Sequence, residues 1–126
     1  MVGKSRAVVL ALDLGSSSVR ALAFTATGKR VPGSLKRAQL VLHYTPEGHA
    51  ELDPDLLLEK VVGVLSAASD VLERKGLSVA AVVMSCFWHS LVGLDRRGRP
   101  LTSVLVWADM RSRNQAAQLR PCVMQT

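Results

Sequence analysis

The stretch Val8-Val9-Leu10-Ala11-Leu12-Asp13-Leu14-Gly15-Ser16-Ser17-Ser18-Val19-Arg20-Ala21-Leu22-Ala23-Phe24 decides the fold. Two apolar runs flank an aspartate, a glycine and three serines. Val8 to Leu12 is an unbroken apolar run and suits a strand buried on both faces. Asp13 then stands where that strand leaves the core. Gly15 allows a tight turn and lets backbone N–H groups approach a ligand. Ser16, Ser17 and Ser18 add hydroxyls without bulk. Residues 19–24 alternate loosely and read as a returning antiparallel strand. Two meanings stay open for the turn. A carboxylate and small residues at a strand end can hold Mg²⁺ and polyphosphate, and the same pattern is also a plain β-hairpin with a polar turn. It is not a Walker A loop, because no lysine follows the glycine and no helical pattern begins there.

Working outward, the spacing predicts strands over about 7–13 and 18–25. A turn comes after the second, and in it Gly28 takes a positive φ. A third extended stretch covers 30–44, interrupted at Pro32-Gly33, with 39–44 as its best strand. A helix is predicted over 54–75. Asp53 is its N-cap, Pro54 sits at N1, and Leu57, Val61, Val64, Ala68 and Val71 form one apolar stripe. Gly76 comes after the last turn as a C′ residue. The continuous apolar run 79–85 predicts a buried strand. Residues 90–95 are a further strand, ending in the hairpin-like turn Asp95-Arg96-Arg97-Gly98. A short strand over 102–107 and a helix over 109–120 complete the chain. The order β-β-β-α-β-β-β-α implies an α/β fold: an antiparallel set of three strands leading through a crossover helix into a mixed sheet. That fits a ribonuclease H-like arrangement better than an alternating Rossmann pattern.

Composition narrows the class. The chain has 126 residues, 48% of them hydrophobic and only 4% aromatic, so one domain with a core of Val, Leu and Ala is expected. No apolar stretch reaches membrane-spanning length, so no membrane partner is expected. The basic start is interrupted by Asp13 after six apolar residues, which makes a poor signal peptide. Cys86 and Cys122 lie far apart and form no C-x-x-C pair, which points to a reduced, cytoplasmic setting without a zinc site. The net charge of +6 raises nucleic acid as a partner. The basic residues are scattered and stacking aromatics are scarce, which argues against it. The same excess of positive charge suits an anionic ligand such as ATP or a sugar acid.

Three further patches carry chemistry. In Gly48-His49-Ala50-Glu51-Leu52-Asp53-Pro54, Asp53 is explained as a cap, whereas His49 and Glu51 read as a solvated loop. Ser85-Cys86-Phe87-Trp88-His89-Ser90 lies at the end of the predicted strand 79–85, and strand ends of α/β sheets are where ligands bind. Trp88 offers a flat face for a sugar ring, and His89 can hydrogen-bond a hydroxyl or carboxylate. A satisfied structural histidine is the plainer alternative, and a Cys86–His89 nucleophile pair lacks any activating signal. In Trp107-Ala108-Asp109-Met110-Arg111-Ser112, an acceptor and a guanidinium sit close enough to bind a polyol together. Asp109 is equally a helix N-cap.

These patches, in this order, resemble the FGGY family of carbohydrate kinases. The resemblance rests on 11–20, 48–54, 87–90, the Asp95-Arg96-Arg97-Gly98-Arg99-Pro100-Leu101 turn, and 106–112, and it spans about residues 7–119. It looks most like the gluconokinase-like branch, with the xylulokinase-like branch next. The resemblance implies an actin-like ATPase fold and ATP-dependent phosphorylation of a sugar or sugar acid, with Mg²⁺. It implies that Asp13, Gly15, Ser16 and Ser17 form the first phosphate loop, with Asp13 near the metal. Trp88, His89, Asp109 and Arg111 would then contact the small-molecule sugar. It further implies that residues 1–126 are a truncated N-terminal domain, that a second domain and the catalytic aspartate lie outside them, and that the chain alone is inactive. Position 86 departs from relatives that carry a polar side chain there. A non-catalytic binding module is the alternative. Self-association through exposed surfaces is expected if the faces of this sheet lack their usual cover.

Overall fold

The computed structural model describes residues 6–123. In chain order the elements are β1 (Arg6–Leu14), β2 (Ser18–Thr25), β3 (Lys36–Gln39), β4 (His43–Tyr44), β5 (Ala50–Leu52), α1 (Pro54–Arg74), β6 (Leu77–Cys86), β7 (Val104–Leu105) and α2 (Arg113–Val123). They fall into two compact units, Met1–Val41 with Asp55–Phe87, and Leu42–Pro54 with Trp88–Thr126. Among the described residues no helix is long and apolar enough to cross a membrane.

The first unit is built on the opening hairpin. β1 and β2 pair antiparallel from Val8↔Thr25 to Leu14↔Val19, β3 adds antiparallel to β2, and β6 returns parallel to β1, giving the order β3-β2-β1-β6. This is the expected mixed sheet, with three antiparallel strands and a crossover through α1. Side chains alternate along it. Val8, Leu10 and Leu12 are buried, with Leu10 opposite Ala23 and Leu12 opposite Ala21, so large side chains on one strand meet small ones on the next. The other face carries Val9, Ala11, Leu22 and Phe24, all half-buried. β1 is therefore not buried on both faces as its unbroken apolar run suggested. Each fully buried leucine contributes about 1.5–3 kcal/mol over an exposed one, so one well-covered face suffices to fix the register.

α1 begins at Pro54, directly after Asp53, as its capping signals require. It ends where Gly76 takes φ +61° and donates its N–H to Glu73 O at 2.9 Å. Its buried residues are Val64, Ala68, Val71 and Leu72, one stripe of the helix. Residues Glu59, Lys60, Gly63, Val64 and Ala67 share a groove with Lys36, Arg37 and Ala38 of β3, so the helix runs across that end of the sheet. A feature with no sequence signal holds the loop before β3. Ser34 is fully buried, its Oγ donating to Val31 O at 2.7 Å and accepting from Ala23 N at 3.0 Å.

β6 is a strand, as its apolar run implied, but it is not buried. It is the outer strand of the sheet, and Val79, Val82, Val83 and Met84 are 40–67% exposed. Burial needs a covering partner, and among the described residues β6 has a neighbour on one side only.

The second unit is a small antiparallel sheet, β4-β5-β7, with α2 after it in the chain. Three expectations change here. The third strand lies at β3, Lys36–Gln39, rather than over 39–44: of that stretch only Gln39 pairs with β2, whereas His43 and Tyr44 pair with β5. Residues 90–95 form no strand. Leu91 and Leu94 make single bridges to Leu105 and Pro100, and Gly93 N bonds the Thr102 hydroxyl instead of a ladder carbonyl. The helix starts at Arg113 and not at 109, with Ala116 N bonded to Ser112 O at 2.9 Å, so Asp109 is not its N-cap. The turn after Asp95 is as expected: Gly98 has φ +77°, and Asp95 Oδ1 accepts from Arg97 N and Arg99 N at 2.8 and 2.9 Å.

Candidate functional site

The sequence-predicted residues divide between the two units. Asp13, Gly15, Ser16 and Ser17 lie in the first; Trp88, His89, Asp109 and Arg111 lie in the second.

In the first unit, the four residues 15–18 close the hairpin. Gly15 N donates to Ser18 O at 3.0 Å, and Leu40 N donates to Ser17 O at 3.0 Å. Gly15 is not held by a positive φ, and a Cβ there would sit 3.4 Å from Ser18 O, at the edge of ordinary contact. Its N–H is consumed inside the turn. Among the described residues, the N–H and hydroxyl groups of Ser16 and Ser17 have no hydrogen-bond partner. Ser18 differs from its neighbours: it is fully buried, and its Oγ accepts from Arg20 Nε at 3.2 Å. Asp13 sits opposite Arg20 across the hairpin, with Arg20 Nη1 at 3.4 Å from Asp13 Oδ2. Both side chains are close to half exposed, so the pair is weak. Motif reading misses Arg20 as a neighbour of Asp13. Hairpin register carries the signal, since a four-residue turn places 13 opposite 20.

In the second unit, two separate motifs meet. Arg111 Nη2 lies 2.6 Å from Glu51 Oε1 and 2.7 Å from Asp109 Oδ2, and its Nε is 3.0 Å from both Asp109 oxygens. Asp109 also accepts from Ala50 N at 3.0 Å and from Arg111 N at 3.1 Å. The Arg111 guanidinium, with the Ala50 N–H, holds the Asp109 carboxyl well below the usual carboxylate range. Asp109 in turn raises the Arg111 pKa. Glu51 reaches His49 as well, Nδ1 to Oε1 at 3.5 Å. Glu51 is thus not in a solvated loop but on β5, which pairs with β4 and β7, whereas His49 is in the loop just before that strand and is half-buried. Gly48 makes this possible. It has φ +92°, its O accepts from Met110 N at 2.8 Å, and a Cβ would fall 3.2 Å from Met110 Cβ.

The two oxygens of Asp109 are therefore engaged by the protein, and Arg111 is the member of the pair that faces outward. It lines a cleft of about 340 Å³ with Pro46, Glu47, Gly48, Met110, Arg113 and Asn114. Trp88 is 78% exposed, with the His89 ring edge-on at 6.1 Å. His89 has φ +55°, a left-handed backbone that costs a non-glycine residue about 1–2 kcal/mol. Cys86 is an exposed free thiol. A cleft of about 610 Å³ lies at the other end of β1 from Asp13, lined by Arg6, Val8, Arg30, Val31, Lys75 and neighbours.

Comparison with known proteins agrees with the sequence motifs. Residues 8–125 match the N-terminal domain of the FGGY family of carbohydrate kinases. A glycerol kinase of Rhodospirillum centenum is 30% identical over 115 residues, covering 90% of this chain and 23% of that protein. A xylulose kinase of Lactococcus lactis is 27% identical, covering 88% of this chain and 22% of that protein. The crystal structure of gluconate kinase from Lactobacillus acidophilus superposes with a TM-score of 0.80 at 24% identity, over 91% of this chain and 22% of that one. The fold is that of the actin-like ATPases, represented by part of an α/β domain with a mixed sheet. The chain spans less than a quarter of the length of these relatives.

Proposed function

The chain belongs to the FGGY family of carbohydrate kinases, and from that premise we propose that it carries the first phosphate loop and part of the substrate wall of an ATP-dependent sugar or sugar acid kinase. Gluconate- or xylulose-type substrates are the proposed acceptors, and the cytoplasm the proposed setting. The observation that carries this reading is the 13–18 turn. A half-exposed carboxylate stands beside two serines whose N–H and hydroxyl groups are unused among the described residues. Such a turn offers N–H dipoles to phosphate and hard oxygen donors to a cation. Among the described residues no three His, Cys, Asp or Glu side chains cluster to hold a metal. One carboxylate fits Mg²⁺ all the same, because that ion is commonly held by one or two carboxylates plus substrate phosphates. When bound, Mg²⁺ would neutralise phosphate charge beside Asp13, while Ser16 and Ser17 orient the phosphates.

On the substrate side, Trp88 supplies a face for a sugar ring, and His89 a hydrogen bond set by its strained backbone. Arg111 donates to hydroxyls or a carboxylate, with Asp109 positioning it. Phosphoryl transfer depends on in-line placement and charge neutralisation in a site closed to water. With one loop and one wall, the 126 residues alone are expected to give no turnover.

The test is calorimetric titration with Mg·ATP, paired with a coupled kinase assay on gluconate, xylulose and glycerol. Weak Mg·ATP binding that Asp13→Ala abolishes, with no turnover, is expected. Binding unaffected by Asp13→Ala would sink the phosphate-loop assignment, and turnover would sink the inactivity. The cleft beside Arg111 and Arg113 supports a second reading, a non-catalytic module for a sugar or sugar acid. Gluconate binding without any Mg·ATP binding would favour it.

A further inference from the structure

The chain as a whole carries a net charge of +6, but the cleft that Arg111 lines does not share it. Its charged lining is Glu47, Arg111 and Arg113. Two carboxylates lie against Arg111 Nη2, Glu51 Oε1 at 2.6 Å and Asp109 Oδ2 at 2.7 Å. These carboxylates are mostly covered, at 20% and 11% exposure, while the guanidinium side chain is 35% exposed. With His49 uncharged, Glu47, Glu51 and Asp109 stand against Arg111 and Arg113, and one net negative charge remains. The hydrogen bonds agree. A guanidinium has five N–H donors. Asp109 engages Nε at 3.0 Å and Nη2 at 2.7 Å, and Glu51 lies against Nη2 as well. Nη1 makes no hydrogen bond among the described residues, so its N–H groups are what Arg111 still offers a ligand.

We infer that this cleft takes a neutral polyol or sugar in preference to a sugar acid, an inference that rests on the reading of Arg111 as part of the substrate wall. The free Nη1 N–H groups suit a pair of adjacent hydroxyl oxygens. Glu47 is exposed and accepts a hydrogen bond from a hydroxyl. A ligand carboxylate has no proton to give it, because two ionised carboxylates are both acceptors only. Such a ligand would also bring a third carboxylate to one guanidinium. A cation already matched by two carboxylates still donates hydrogen bonds, but it attracts little further negative charge. One net charge across roughly 6–8 Å, in surroundings between bulk water and protein surface, changes affinity by about 3–10-fold. Of the acceptors proposed above, the xylulose type therefore fits this cleft better than the gluconate type.

Titration of the full chain with glucitol and with gluconate tests this, since the two differ only in a CH₂OH group against a carboxylate. The readout is the amide shifts of Gly48, Met110 and Arg111 in ¹H–¹⁵N NMR, at low ionic strength and at pH ~8, where histidine is uncharged. Glucitol is expected to bind about 3–10-fold more tightly than gluconate, and the gap narrows as salt is added. Glu47→Gln removes one exposed carboxylate that has no ion pair with Arg111. It should close the gap by tightening gluconate, with glucitol unchanged. Gluconate binding as tightly as glucitol, or a Glu47→Gln variant that moves both equally, overturns the preference while the substrate wall stands. Should the variant fail to fold, the salt series on the wild type decides, and a gap that salt leaves intact refutes the charge argument. No shift with either probe, even at the limit of its solubility, overturns the wall itself and the preference with it.

Discussion

Ser34→Ala is expected to destabilise the chain far more than the loss of one exposed oxygen would. The side chain is fully buried and serves two partners: Val31 O at 2.7 Å and Ala23 N at 3.0 Å. Val31 O keeps a second donor, Ser34 N at 3.2 Å, so it is not orphaned by the change. Ala23 N is. Ala23 O, on the same edge of β2, accepts from Val31 N at 2.8 Å, so that edge faces the 31–34 loop with Ser34 Oγ as the partner of the N–H. Removing one oxygen leaves no sizeable cavity, so the cost is that of a buried unsatisfied donor, about 1–3 kcal/mol. Against a total of roughly 5–15 kcal/mol for a domain of ordinary stability, that is a large fraction. For a chain of this length it lowers the melting temperature by roughly 3–15 °C. Thermal and urea denaturation monitored by circular dichroism measure it, with the exposed Ser66→Ala as control. A Ser34→Ala variant matching the control would refute the account of how this loop is tied to β2.

The geometry sets three further outcomes. Arg111→Ala frees the Asp109 carboxyl, whose folded pKa lies below its ordinary 3.8 because of that guanidinium. A depressed acid contributes stability above the unfolded pKa and loses it as pH falls through the folded one. The wild type should therefore lose melting temperature below about pH 4 more steeply than Arg111→Ala, and parallel acid limbs would contradict this. Gly48→Ala meets both φ +92° and a 3.2 Å approach to Met110 Cβ, and should cost about 1–3 kcal/mol in urea denaturation. Asp13→Asn breaks only a half-exposed pair with Arg20 and should shift unfolding by at most ~1 kcal/mol.

The opening hairpin and α1 are legible in the sequence because local signals state them fully: two apolar runs about a small turn, and an aspartate, a proline and a glycine at helix ends. Burial is less legible. The β6 run reads as interior because Val, Ala and Met dominate it, but exposure depends on the neighbours of a strand, which its own residues do not encode. β5 is three residues long, too short for any period to register, and so Glu51 reads as loop. Its meeting with Arg111, sixty positions later, is set by the β5–β7 pairing and by Gly48. Asp109 reads as a helix cap because capping and ion-pairing residues are the same types. In the 90–95 stretch the alternation is real, but Gly93 bonds the Thr102 side chain, and Pro100 has no N–H to offer a ladder.

The central claim is that the Asp13–Ser18 turn receives the phosphates of Mg·ATP. Amide chemical shifts of the full chain, recorded by ¹H–¹⁵N NMR during titration with Mg·ATP, test it residue by residue. The account predicts saturating shifts at Gly15, Ser16 and Ser17 that Asp13→Asn removes. Shifts confined to the basic cleft around Arg6, Arg30 and Lys75, with the turn unmoved, would contradict it.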